Sequence, residues 1–200
     1  MRVLGIDPGS RFMGFGVVEQ RDGRVCHVTH GVLEVDPEAA LEVRLKDLFG
    51  GLTTVLTLYK PDSVAVEGVF TLKNARSALI LGHARGVALL AASQSGLPVH
   101  EYAPSKVKRA VGAGGADSKE AVAKMVAHLL AFPEVVEARA DATDALAIAL
   151  CHLSHQRLGQ LTQSAVVGVS KGPKTRAARG KGAFKHLADR LAPAYQKKES

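Results

Sequence analysis

Aromatic residues make up only 4% of this 200-residue chain, cysteine occurs twice, and no apolar run is long and charge-free enough to span a bilayer. With the hydrophobic fraction still at 46%, so few aromatics leave an interior built from alanine and aliphatic side chains. Cys26 and Cys151 form no CxxC pair and no disulfide framework, which excludes a small secreted scaffold held by bridges. Behind Met1-Arg2 there is no apolar stretch ending in a cleavage site, so no secretion signal is read. A reducing, cytoplasmic setting with no membrane partner is expected. The length allows one domain with a sizeable core plus an appendage.

Charge is unevenly spread. The net +7 divides into a stretch from Arg157 to Ser200, where ten Lys or Arg meet only Asp189 and Glu199, and a body of 156 residues with sixteen basic against seventeen acidic. A neutral body (1–156) with a basic tail (157–200) suits a protein that meets polyanions; the plainer alternative is a solubilising tail. Gly, Lys, Arg, Ala and Ser dominate residues 170–182, a composition that cannot bury enough apolar surface to offset its ordering entropy. Disorder is expected there.

Hydrophobic periodicity predicts strands over residues 3–7, 12–19 and 24–35, joined by short Gly-containing links that favour antiparallel hairpins. Leucines at 41, 45, 48, 52 and 56 predict a helix over 37–59. A strand over 63–67 follows, and the intervening helix lets it lie parallel to the first. Helices over 74–95, 105–111, 118–131 and 138–155 and a strand over 98–102 complete an α/β fold, a mixed five-stranded sheet flanked by helices. No internal repeat is found.

Acids sit where such a fold should bury apolar residues. Asp7 closes Val3-Leu4-Gly5-Ile6, Glu67 closes Val64-Ala65-Val66, and Asp141 and Asp144 precede the apolar segment Ala145 to Leu150. An ionised carboxylate at a core edge is costly unless it is paired or holds a metal. Asp141 and Asp144 are three apart and share a helix face, where like charges oppose each other's ionisation unless a cation intervenes. Hard oxygen ligands suit Mg²⁺ or Mn²⁺ rather than zinc, and four of them can hold two ions for an in-line phosphoryl displacement. Each acid alone also has a plain structural explanation: a turn before Pro-Gly, a strand end, a helix cap or a dipole partner. Four together favour the cation site.

The segments GIDPGSRFMGFGVVE (5–19), VEGVFTLKNARSALILGHARG (66–86), APSKVKRAVGAGGADSKEAV (103–122) and ADATDALAIALCH (140–152) closely resemble the RuvC family of Holliday-junction resolvases. The resemblance covers residues 1–156 in order and at matching spacing. It implies a ribonuclease H-like fold and a homodimer that nicks two strands of like polarity across a four-way DNA junction in recombination and repair. It also implies Mg²⁺ dependence and cooperation with a branch-migration motor. Asp7, Glu67, Asp141 and Asp144 fall on the family's four catalytic acids, and where some members carry a histidine this chain keeps Asp141. Lys108 and Lys119 fall where the family places lysines near the cleaved phosphate, and Phe70 on an aromatic associated with unstacking bases.

Other residues stay open on sequence alone. Phe70 could stack on a splayed base or tuck into the local core; Lys73 and Arg76 could be phosphate contacts or a solvated helix start. Residues 112–115, rich in glycine, could present a helix N-terminus to a phosphate or serve as a linker, and are not a Walker loop. The two CHxxH runs at 26–30 and 151–155 tempt a zinc reading, but a strand spreads the first too widely for one ion. A non-catalytic junction-binding protein is the alternative function. A nucleotide-binding relative is the third, because Asp7-Pro8-Gly9-Ser10 also resembles a sugar-kinase phosphate loop, but the body is too short for the two domains such proteins use.

Overall fold

The computed structural model describes residues 1–68, 74–112 and 118–166, with side chains as far as residue 157. At its centre lies β1 (Arg2–Asp7), whose successive residues bury on opposite faces. Val3 enters one core, while Leu4 and Ile6 enter the other. A strand covered on both sides has no reason to alternate, which is why this run is wholly apolar. β2 (Phe12–Arg21) pairs antiparallel with β1, setting Gly14 opposite Asp7. β3 (Arg24–Glu34) returns through Asp22 and Gly23, both at positive φ as a tight hairpin turn requires.

α1 (Leu41–Tyr59) crosses to β4 (Ser63–Glu67), which runs parallel to β1 with Val66 opposite Ile6. α2 (Ala75–Gln94) then leads to β5 (Val99–Tyr102), parallel to β4. The sheet order is β3-β2-β1-β4-β5. α1 and α2 cover one face through Leu48, Leu52, Ala84 and Ala88. The other face is covered by α3 (Pro104–Ala110), α4 (Lys119–Leu130), a 3₁₀ turn at Pro133–Glu137, and α5 (Ala140–Val166). Contacts gather residues 1–163 into one unit and group 164–200 as another, of which only the end of α5 is described.

Two boundaries differ from expectation. α1 begins at Leu41 rather than residue 37, because the Asp36 carboxylate accepts the Glu38 backbone N–H at 2.9 Å and closes a turn that delays the helix. α5 continues to Val166 rather than ending near 155. Arg157, Leu158, Gln160 and Leu161 are good helix formers, so the backbone stays helical where the apolar stripe has faded.

A polar network sits beneath the β4–β5 side of the sheet. His152 of α5 is 1% exposed; its Nε2 lies 3.1 Å from Ser63 Oγ and its Nδ1 2.8 Å from Tyr102 Oη. Burial, then the neighbouring His100 and His155, push its pKa down to about 4 from an ordinary 6.5. The unfolded chain therefore takes up a proton that the folded one refuses, and stability falls as pH drops from 6.5 toward 4. The loss should be on the order of 3 kcal/mol, at 1.36 kcal/mol per pH unit. H152Q should lower stability at pH 7 yet fall less steeply below pH 6.5. Chemical denaturation at pH 7.5, 5.5 and 4.5 tests this; parallel losses in the two proteins would assign the acid sensitivity elsewhere.

Candidate active site

The parallel register of β1 and β4 brings the ends of both strands, Asp7 and Glu67, to the same rim of the sheet. Asp7 shares its face with Gly5, and Glu67 shares its face with Ala65 and Ser63, by the two-residue alternation of a strand. That is the face α5 covers. A Cβ on Gly5 would lie 2.0 Å from the Ala145 carbonyl oxygen, and one on Gly14 would lie 1.9 Å from that of Asp141. The helix backbone thus rests directly on the sheet, and its first turns hold Asp141 and Asp144 over the rim where Asp7 ends.

The charges are coupled. The Asp7 carboxyl is pushed up to about 8 by burial first, then by Glu67, Asp144 and Asp141, with Lys119 pulling the other way. Burial and then Asp144 also hold Glu67 above the usual carboxylate range, while Lys119 and Lys108 oppose them. Lys119 opens α4 behind its cap, Ser118, whose hydroxyl accepts the Ala121 N–H at 3.3 Å. The Lys119 Nζ reaches Asp144 Oδ2 at 3.3 Å, and its ammonium is held above its ordinary pKa chiefly by that partner.

The remaining candidates divide. Lys108 is half-buried on α3 and acts on Glu67, whereas Lys106 and Arg109 on the same helix are exposed on another side. Arg76 is exposed in the first turn of α2, its backbone N–H donating to the Asn74 cap at 2.9 Å. Phe70 and Lys73 lie outside the described residues, as does most of the glycine-rich loop that begins at Gly112. In the first CHxxH run, His27 bonds His30 at 2.8 Å and stacks on Phe132; in the second, Cys151 is buried and His152 serves the network above.

Arg139 was not singled out from the sequence. Its guanidinium lies 3.8 Å from the centre of the Phe12 ring and makes ion pairs with Glu34 at 3.6 Å and Asp141 at 3.7 Å. A cation two residues before an acid was a weak signal. Its platform, Phe12 and Glu34, comes from distant strands.

Among the described residues, no three His, Cys, Asp or Glu side chains are gathered closely enough to hold an ion as they stand. The chemistry of the donors does fit a hard divalent cation: all are carboxylates, and burial followed by their mutual repulsion raises two of them. Such a cation would favour the ionised form of each.

The family described as "Crossover junction endodeoxyribonuclease RuvC" matches residues 3–152. A protein of that name from Myxococcus xanthus is 62% identical over 200 residues, all of both chains. One from Pelobacter propionicus is 54% identical over 83% of this chain and 93% of its own. A solved structure of Thermus thermophilus RuvC, in complex with a Holliday-junction substrate, superposes with a TM-score of 0.72 at 34% identity, covering 80% of this chain and 97% of that one. A yeast mitochondrial Holliday-junction resolvase, at 16% identity and TM-score 0.61 over 82% of each chain, shares the ribonuclease H-like fold. Sequence, fold and match along the whole body agree: the chain is an enzyme and belongs to the crossover junction endodeoxyribonuclease RuvC family.

Proposed function

We propose that the chain resolves Holliday junctions by paired symmetric nicks in strands of like polarity, acting in recombination and DNA repair and leaving 5′-phosphate and 3′-hydroxyl ends. The observation that carries this reading is the coupled rim, where burial and three other acids raise Asp7 and a lysine from another helix approaches Asp144. Asp7, Glu67, Asp141 and Asp144 would hold Mg²⁺, with Mn²⁺ as a substitute and two ions per site. Such ions supply acidification of water and neutralisation of the leaving oxygen, which the side chains cannot.

The rest falls to the chain's own residues. Lys119, placed by the α4 cap, can turn from Asp144 to the scissile phosphate and stabilise its developing charge. Lys108 offers a second cation beside Glu67. Arg139, braced on Phe12, holds Asp141 from the side. Phe70, Lys73 and Arg76 complete the DNA-contact set, Phe70 by stacking on an unpaired base and the two cations by touching phosphates. We assign the chemistry to the body, residues 1–156, and treat the basic tail as a separate appendage.

Two sites in a homodimer match the near-twofold symmetry of a four-way junction. α2 offers a surface for that pairing: Leu79 and Leu90 are 63% and 50% exposed, and a Cβ on Gly82 or Gly86 would meet open space. A branch-migration motor is the further partner. Among the described residues no helix is long and apolar enough to cross a membrane. The location this reading assigns is the cytoplasm, beside the DNA substrate.

The test is incubation with a synthetic four-way junction whose strands are labelled one at a time, with Mg²⁺, Mn²⁺ or chelator. Symmetric nicks in opposite strands are expected with either metal and none with chelator. Tight junction binding without cleavage under every condition would instead establish the non-catalytic alternative.

A further inference from the structure

The three cations of α3 divide between two sides of the helix, and only one of them serves the acids. Lys108 acts on Glu67; Lys106 and Arg109, three residues apart, lie about a sixth of a turn from each other around the helix and face the second half of α5. Between those helices is an open cavity of about 400 Å³ lined by Lys106, Arg109, Ala110, Ser154 and His155. Among the described residues neither Lys106 nor Arg109 makes an ion pair; the Arg109 Nε–H donates to the Ser105 carbonyl at 3.2 Å, which steadies the guanidinium. The far wall is built rather than loose. The His155 ring stacks on Tyr102, whose hydroxyl is tied to His152 and through it to Ser63.

Resting on the nuclease reading above, we propose that this cavity is a second phosphate subsite, taking a backbone phosphodiester of a junction arm away from the cleavage point. The chemistry is complementary: two cations, a hydroxyl and an imidazole surround a space that, among the described residues, no acid lines. Its position also fits. His155 lies eleven residues beyond Asp144 on one continuous helix, about 16 Å along its axis and roughly five base pairs of duplex. An arm leaving the rim along α5 therefore crosses the cavity. The subsite positions the arm and takes no part in bond breaking.

The experiment compares the full chain with K106Q/R109Q, with A110E, and with K46Q/K60Q, which removes the same charge from exposed positions on α1 and its end, across the sheet. Junction binding is measured without divalent metal over a range of salt concentrations, and single-turnover cleavage at saturating protein with Mg²⁺. K106Q/R109Q is expected to weaken binding tenfold or more and to reduce the salt slope by about 1.8, the value for two lost phosphate contacts. A110E should weaken binding by a similar factor, and K46Q/K60Q should not. The cleavage rate at saturation should stay at the wild-type value in all of them. An unchanged slope in K106Q/R109Q, or equal losses in K46Q/K60Q, overturns the subsite while leaving the nuclease reading intact. Absence of cleavage by the wild-type chain is the separate failure of that reading. Inorganic phosphate at millimolar concentration is the added probe: competition with the wild type that persists undiminished in K106Q/R109Q would place the anion elsewhere.

Discussion

D7N is expected to lower junction cleavage by about a thousandfold or more, ~4 kcal/mol of barrier, while junction affinity without metal stays within about twofold of wild type. Asn keeps the shape of Asp7 and removes its charge at the point where β1, β4 and α5 meet. Of the rim acids, Asp7 feels all three others, so its loss takes a proposed ligand from the centre of the set. Lys108, Lys119 and the basic residues of α3 remain, and with them the phosphate contacts that supply affinity. Wild-type cleavage by D7N would move the active centre away from this rim.

The same substitution has a second signature, readable without any DNA. In the folded chain Asp7 gives up its proton only near pH 8, whereas in the unfolded chain it does so near 3.8. Between those values the unfolded state holds fewer protons, so this group's contribution to stability declines as pH rises through the window. Asn has no proton to lose. With chelator present, D7N should therefore gain on wild type from pH 4 to pH 8 by a few kcal/mol, and the difference should be level on either side. Denaturation midpoints at pH 5 and pH 8.5 suffice. A difference that does not grow with pH would mean that Asp7 is neither buried nor crowded as drawn.

How much of this site could be read from the chain follows from the range of each cause. Asp7 and Glu67 were legible because a carboxylate ending an apolar run is a local contradiction, visible within five residues. Asp141 and Asp144 were legible as one helix face because residues three apart on a helix share a side, here just ahead of an apolar segment. Arg139 was not, because its significance lies in Phe12 and Glu34, more than a hundred residues earlier. The start of α1 was hidden by one side-chain hydrogen bond at Asp36, and the far end of α5 by the assumption that a helix ends where its apolar stripe does. The glycines at 5 and 14 read locally only as small residues in strands; that α5 rests on them is a fact of tertiary packing.

That packing carries the other large effect. G14A adds one methyl group, yet its carbon would lie 1.9 Å from the Asp141 carbonyl oxygen and 2.4 Å from its carbon, both backbone atoms that no rotamer change can move aside. Relief requires the start of α5 to lift by about 1.5 Å to reach van der Waals distance. Overpacking of this kind costs about 3 kcal/mol, or roughly 5–10 °C in Tm for a domain of this size. A displacement above 1 Å at Asp141, a proposed catalytic acid, should slow cleavage about a hundredfold even well below the melting point. G50A is the matched control: Gly50 lies exposed within α1 with nothing within 4 Å of a built Cβ, so alanine should raise stability by about 0.5–1 kcal/mol and leave cleavage unchanged. G5A places its methyl 2.0 Å from Ala145 and 2.8 Å from the Ala149 nitrogen, one turn further along the helix, and should destabilise at least as much. If G14A melted and cleaved like wild type, α5 would not sit on the β1–β2 pair in solution, and the alignment of Asp141 with Asp7 would lose its physical cause.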